Sequence, residues 1–456
     1  MRNAGIGAAG LSTQIFAATG PVHHLESWRP CAVWRVQATS IVGRTLALPV
    51  FQPPTEKACM TTPTAKKAER HGPLHGIKVV EIASIVLGPL ATQYLGDMGA
   101  DVIKIEPPEG DLTRSLGPQR SPGMSAVFLN CNRNKRSLVL DLKQERDREA
   151  LSTIVAQSDV VLHSIRSQAV ERMGISYAQL SRVNPRLVYC HVKGFSDKGL
   201  YAGKPAYDDV IQALTGLASL QTAIVGKSRY MPTIFADKVS AIHAAYAVML
   251  ALFHRERTGR GQEVVIPMFE AMTAFNCVEH LWGATFEPPI GSMGYETIVK
   301  AARKPYETLD GFIAFLPYND THWQRFFQAI GLPEMMQDPR FSSYGARQKN
   351  FASVWAFVTE QLKLKTNAEW LQLFGQGDMP IAQVNRLEDL PHEPHLESVG
   401  FWQMREHPTE GTLRFSSSPF ELADSPPALR RLPPTLGQHT EELLKAFGVT
   451  AFAPSA

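Results

Sequence analysis

Two periods of apolar spacing divide the chain. From residue 77 short apolar runs alternate with stretches of helical spacing. Ile77 to Ala83 reads as a buried strand, Pro89 stands where a helix can begin without losing a hydrogen bond, and Gly99 closes that helix before a second strand at Asp101 to Ile105. Ser137 to Leu142, Asp159 to His163 and Arg186 to Val192 supply further strands, with helical segments between them. Strands separated by helices of this length imply βαβ crossovers and a parallel, doubly wound α/β sheet. Ligands settle at the carboxyl ends of such strands, where the Gly88 and Ser164 loops fall.

Further on, Val239, Ile242, Tyr246, Met249 and Phe253 recur at steps of three and four, which predicts one long helix with a single buried face and a stop at Gly259. Asp237 falls at its N-cap, where orphan N–H groups and the helix dipole favour an ionised carboxylate. After that helix the character changes. Glu287-Pro288-Pro289 and Gly291 to Tyr295 read as a linker and a glycine-containing loop. Residues 303–315 read as two short strands around an Asp-Gly turn, followed by helices near 321–330 and 350–375, a smaller α+β unit.

Composition narrows the classes. At 456 residues two domains are the prior, and 44% hydrophobic with 20% charged residues describes an ordinary globular chain. The net charge of only +3 argues against a nucleic-acid partner and leaves room for small basic pockets. Cys31, Cys59, Cys131, Cys190 and Cys277 form no paired framework, which points to reduced thiols and a cytoplasmic protein. No apolar run reaches the ~18 residues of a membrane span. The Gly5-Ile6-Gly7-Ala8-Ala9-Gly10 run spells a dinucleotide fingerprint, yet only four residues precede it, too few for the strand that gives the motif meaning. His392 and His395 are separated by Pro394, which breaks the helical turn two metal ligands would share, so no metal is assigned. Asn132, Arg133, Lys135 and Arg136 form a basic cluster at the entry to a strand, suited either to phosphates or to a solvated face.

Several longer segments carry a resemblance. They are Leu74 to Glu81 with Gly88-Pro89, Leu95 to Glu106, Asn132 to Ser137, Asn184 to Tyr189, Tyr207 to Ala213, Phe235 to Lys238 with Arg257-Thr258-Gly259-Arg260-Gly261-Gln262, and Leu436 to Thr440. Together they resemble the family III coenzyme A transferases, the formyl-CoA and carnitine CoA-transferase family, which also contains 2-methylacyl-CoA racemases. The resemblance runs from about residue 73 to 449. It implies a Rossmann-like large domain over 73–285, a smaller α+β domain over 286–395, and a return to the large domain over 396–456. It also implies an interlocked homodimer.

The resemblance further implies an acyl-CoA donor and a carboxylic acid acceptor as partners, with CoA a substrate and no permanently bound cofactor. Asp237 then becomes the nucleophile that attacks the thioester. Arg172 binds CoA, joined by the Arg133, Lys135 and Arg136 cluster; Val86 and Ser164 flank the cofactor; and Tyr207, Asp208 and Asp320 approach the acyl group. Gly291 and Gly294 belong to a closing loop, which carries fewer glycines than the family often shows. Val86 replaces a glutamine found in formyl-CoA transferases, and Ser164-Ile165 replace an Asn-Phe pair, so an acceptor other than oxalate is expected. Racemases have a histidine where this chain has Tyr207, which favours transfer over α-proton exchange. A racemase-like isomerase is the alternative, and a non-catalytic CoA-binding protein a third class.

Residues 1–72 match nothing in that family. The first 59 are basic and poor in acids, which fits a transit peptide; an over-extended start, with Met60 opening the usual chain, is the preferred expectation. Residues 1 to about 70 are expected to be disordered or loosely attached.

Overall fold

A computed structural model describes residues 72–299, 303–375 and 377–449; the expectations for the leader lie outside the described residues. The main sheet has six strands: β1 Lys78–Ile82, β2 Asp101–Glu106, β3 Lys135–Val139, β4 Val160–His163, β5 Val188–Lys193 and β6 Gln262–Pro267. Their order is β3-β2-β1-β4-β5-β6, and every pairing is parallel. Alternate residues feed opposite faces: Val79 joins a core with Ala91, Leu95 and Val248, whereas Val80 joins one with Ile154, Leu180 and Leu443. The sheet is therefore covered on both sides. Its strand order reverses between β1 and β4, the place where such sheets open a crevice.

Two sequence expectations shift here. β3 starts at Lys135, two residues before the expected Ser137, because Lys135 and Arg136 enter the strand as buried, paired cations rather than as a loop. The long helix spans Phe235–Thr258 with Ile234 at its N-cap, so Asp237 sits inside the first turn and not at the cap.

The face of that helix also differs from the one expected: of the five predicted residues only Val239 packs against the core, half-buried. Ala241, Ala244, Val248 and Ala251 are buried, while Ile242, Tyr246 and Phe253 are 57%, 62% and 60% exposed and Met249 is exposed as well. Small side chains let the helix lie close against the helix Leu87–Asp97, whose Ala91 and Leu95 share its core cluster. Ile242, Tyr246, Met249 and Phe253 point outward, while Leu252 is buried with the small residues. By length and composition this is the one described helix apolar enough to cross a membrane, which corrects the expectation that no such run exists. Here one side of it belongs to the core, with Asp237 and Arg255 buried along it.

A third core lies under the antiparallel strands β7 Tyr306–Glu307, β8 Phe312–Phe315 and β9 Ile381–Gln383. Trp323, Phe326, Phe327, Phe341 and Trp370 fill it. The hairpin β10 Trp402–His407 and β11 Gly411–Ser416 follows, and the helix Thr440–Ala446 returns Leu443 and Leu444 to the main sheet.

Candidate active site

A cleft of about 210 Å³ opens at the carboxyl ends of β1, β4, β5 and β6. Its walls are the turns that leave those strands: Ser84-Ile85, Ser164-Ile165, Gly194-Phe195 and Met268. Asp237, Tyr207 and Leu112 complete it. Ligand pockets for drug-sized molecules run to roughly 300–1,000 Å³, so this space suits an extended arm better than a whole nucleotide.

Asp237 is 8% exposed. Burial first, and then the neighbouring Asp208 carboxylate, push its carboxyl up to about 7. The helix dipole at its first-turn position works the other way but is worth only ~0.3–1 kcal/mol, so burial wins. The expected freely ionised carboxylate is therefore corrected to one poised near neutrality. Asp208 is fixed beside it: its Oδ1 accepts the Asp237 backbone N–H at 3.1 Å, and its Oδ2 accepts from Gln212 Nε2 at 2.6 Å. Tyr207, at the N-cap of the helix Asp208–Leu214, is 65% exposed on the cleft edge.

Positive charge reaches the cleft from residues that sequence reasoning passed over. Arg166, Lys193 and Lys204 line it, against Asp197 and Asp237. Lys193 Nζ donates to Asp197 Oδ2 at 2.6 Å and to Ser167 Oγ at 3.2 Å. Lys204 lies 4.2 Å over the Tyr201 ring. For Lys193 the sequence signal is position: it directly follows the predicted strand Arg186 to Val192, just before Gly194, and ends the observed β5, the place where a parallel sheet presents ligands. Beneath the Ser164-Ile165 turn two histidines hold its backbone. His163 Nδ1 accepts the Ile165 N–H at 3.3 Å and His191 Nε2 donates to the Ile165 carbonyl at 2.8 Å, their rings 4.0 Å apart. Burial lowers both, His191 to about 4 and His163 well below its ordinary value, so both are neutral near pH 7.

Several expected contacts are placed elsewhere. Arg133 is buried in a bidentate pair with Asp97, at 2.9 and 2.7 Å. Lys135 is wholly buried on Glu81 and the Pro89 carbonyl, each at 2.7 Å, and Arg136 pairs with Asp101 and Glu442. These charges are consumed inside the fold, which corrects the expectation that they meet phosphates. Arg172 is exposed on the helix Ser167–Met173 and does not line the cleft; Arg166, before the same helix, does. Val86 turns into the core at 4% exposure, because its neighbour Ile85 adopts φ 71° and faces the cleft instead. Ser164 lines the cleft as expected.

Gly291, Gly294 and Asp320 are absent from the cleft lining. The glycine loop is fastened to the end of the helix Met268–His280, with Gly294 N–H on the His280 carbonyl at 2.8 Å and Tyr295 N–H on His280 Nδ1 at 3.1 Å. Asp320 pairs with Arg347 beside a smaller pocket lined by Tyr318, Trp323 and Tyr344. Among the described residues no group of three or more His, Cys, Asp or Glu side chains is arranged to hold a metal.

A parallel sheet of this order with an acidic, partly basic-lined crevice at its switch point defines the class of fold. Residues 74–440 match the family model for CoA-transferase family III, and the chain belongs to that family. It is an enzyme of the CoA-transferase class. It is 29% identical over 386 residues to the succinate–glutarate CoA-transferase of Agrobacterium fabrum, covering 82% of this chain and 96% of that protein. It is 33% identical over 332 residues to the acetyl-CoA:oxalate CoA-transferase of Acetobacter aceti, covering 70% and 82%. Among solved structures, a CaiB/BaiF family protein from Brucella suis superposes with a TM-score of 0.72 at 29% identity, covering 83% of this chain and all of that one.

Proposed function

We propose that the protein transfers CoA from an acyl-CoA donor to a carboxylic acid through covalent intermediates on Asp237. The observation that carries this reading is the placement of a buried carboxylate in the wall of the cleft at the switch point of the sheet. An Asp237 carboxylate oxygen attacks the thioester carbonyl, the C–S bond breaks, and CoA thiolate leaves behind a mixed anhydride. The thiolate then attacks the aspartyl carbonyl carbon, releasing the donor acid and forming an aspartyl-CoA thioester. The acceptor carboxylate displaces the thiolate to give a second anhydride, and the thiolate takes the acceptor acyl group, restoring the Asp237 carboxylate. No proton is gained or lost, so an ionised Asp237 needs no separate base.

A dicarboxylic donor such as succinyl-CoA is favoured by the names of the relatives and by Arg166, Lys193 and Lys204 at the cleft. The uncovered apolar side of the Phe235–Thr258 helix supports a homodimer. The test is a panel of acyl-CoA donors against carboxylic acids read by mass spectrometry, with hydroxylamine trapping of the enzyme. Hydroxamate at Asp237, lost in Asp237→Ala together with transfer, is the expected result; substantial transfer by the alanine variant sinks the mechanism.

One observation favours a second reading. A carboxyl at about 7 is a competent base near neutrality, which removes half of the case against α-proton exchange. The other half stands, since Tyr207 supplies no imidazole opposite it. Rapid α-deuteration of a 2-methylacyl-CoA in deuterated water, without transfer, would select the isomerase.

A further inference from the structure

Ile85 is a β-branched residue with φ 71°, in the left-handed region that costs such a side chain free energy, and it lines the cleft. Both ends of its turn are tied inward. Lys104 Nζ donates to the Ala83 carbonyl at 2.9 Å, and Asp111 Oδ1 accepts the Ile85 N–H at 3.2 Å. Lys104 also joins Asp111 at 2.7 Å and Glu81 at 2.7 Å, and all three side chains are buried. Asp111 acts on a second part of the lining too, because the same Oδ1 caps the 3-10 turn Leu112–Ser115 through the Thr113 N–H at 2.9 Å, and Leu112 lines the cleft.

The group joins Glu81 on β1 and Lys104 on β2 to Asp111, which lies beyond the end of β2. Burial by itself would raise the Asp111 carboxyl, and the Lys104 ammonium more than reverses that, so both stay ionised across neutral pH. A buried ion triad is weak as a source of stability compared with apolar packing, and its better-attested use is to fix one geometry. The geometry fixed here is a strained wall of the cleft.

We propose that Lys104 and Asp111 are positioning residues that hold the Ser84-Ile85 turn in the form that receives the acyl-CoA arm. The inference rests on the reading that this cleft takes the thioester. A glycine at 85 adopts φ 71° without strain and equally leaves it, so it separates the two roles.

The experiment measures CoA binding by calorimetry, KM for the acyl-CoA, and thermal midpoint on the full chain, for Ile85→Gly, Asp111→Asn, their combination, and Lys204→Ala. Ile85→Gly is expected to weaken CoA binding and raise KM by about tenfold, more than it lowers kcat, with the midpoint unchanged or higher. Asp111→Asn is expected to raise KM in the native background and to add little once residue 85 is glycine. Unchanged binding in Ile85→Gly, alongside weakened binding in Lys204→Ala, overturns the positioning role and leaves the cleft reading intact. So does an Asp111→Asn effect of equal size in both backgrounds. If Ile85→Gly and Lys204→Ala both bind CoA normally, the thioester lies elsewhere and the two readings fall together. Should Asp111→Asn fail to fold, Ile85→Gly still decides.

Discussion

Replacing Asp237 by asparagine should stop catalysis and stabilise the protein at alkaline pH. The carboxyl stands at about 7 in the folded chain against 3.8 in the free residue, because it is buried and faces Asp208. That difference corresponds to roughly 4 kcal/mol, and a favourable helix dipole trims it to about 3 kcal/mol. The sign follows from proton uptake: the folded state holds its proton more tightly, so the stability this group contributes is complete below pH 3.8 and is lost as pH rises through 7. Asparagine, which cannot ionise, escapes the loss. Urea unfolding at pH 5 and pH 8.5 should therefore show the variant's advantage over wild type growing by about 2–3 kcal/mol from the lower pH to the higher, since part of the loss has already developed by pH 5. The wild-type rate should rise with pH through about 7 as the nucleophile ionises. A variant no more stable than wild type at pH 8.5, or a gap that ignores pH, would refute the burial argument.

Further outcomes follow from the charges and surfaces. Lys204→Ala should raise KM for acyl-CoA about tenfold, with a loss that shrinks at high salt, as expected for an exposed cation on an anionic ligand. Arg133→Ala strands the buried Asp97 and should cost about 3 kcal/mol by urea unfolding, while KM for CoA stays put. Tyr246→Asp should leave the monomer folded and remove the dimer in multi-angle light scattering; a dimer of undiminished strength argues that the exposed helix side is not the contact.

Much of the main sheet was legible because its strands are short apolar runs bounded by turn residues, as at Ile77 to Ala83 and Asp159 to His163. β6 was not, since Gln262 and Glu263 disguise a strand that pairs on β5. Asp237 stood out through its motif and its place before a long helix. The basic residues that reach the cleft did not, because a charge in sequence carries no sign of its partner. Arg133 and Lys135 look like ligand-binding cations until Asp97 and Glu81, brought from other strands and helices, are seen to neutralise them. The helix face was misread for a related reason. Periodicity marks where large apolar side chains line up, and here the alanines, not the aromatics, face the interior.

That inversion makes the Phe235–Thr258 helix a shared part. One end carries Asp237 in the cleft, and Ile242, Tyr246, Met249 and Phe253 run along its outer side. Under the mechanism proposed for Asp237, a rod with the reacting carboxylate at one tip and a greasy flank along its length ties turnover to crowding. If copies pair through that flank, as proposed, diluting the enzyme until they separate would wet it and loosen the rod's seating against the Leu87–Asp97 helix, so specific activity should fall on dilution well before the sheet itself unfolds.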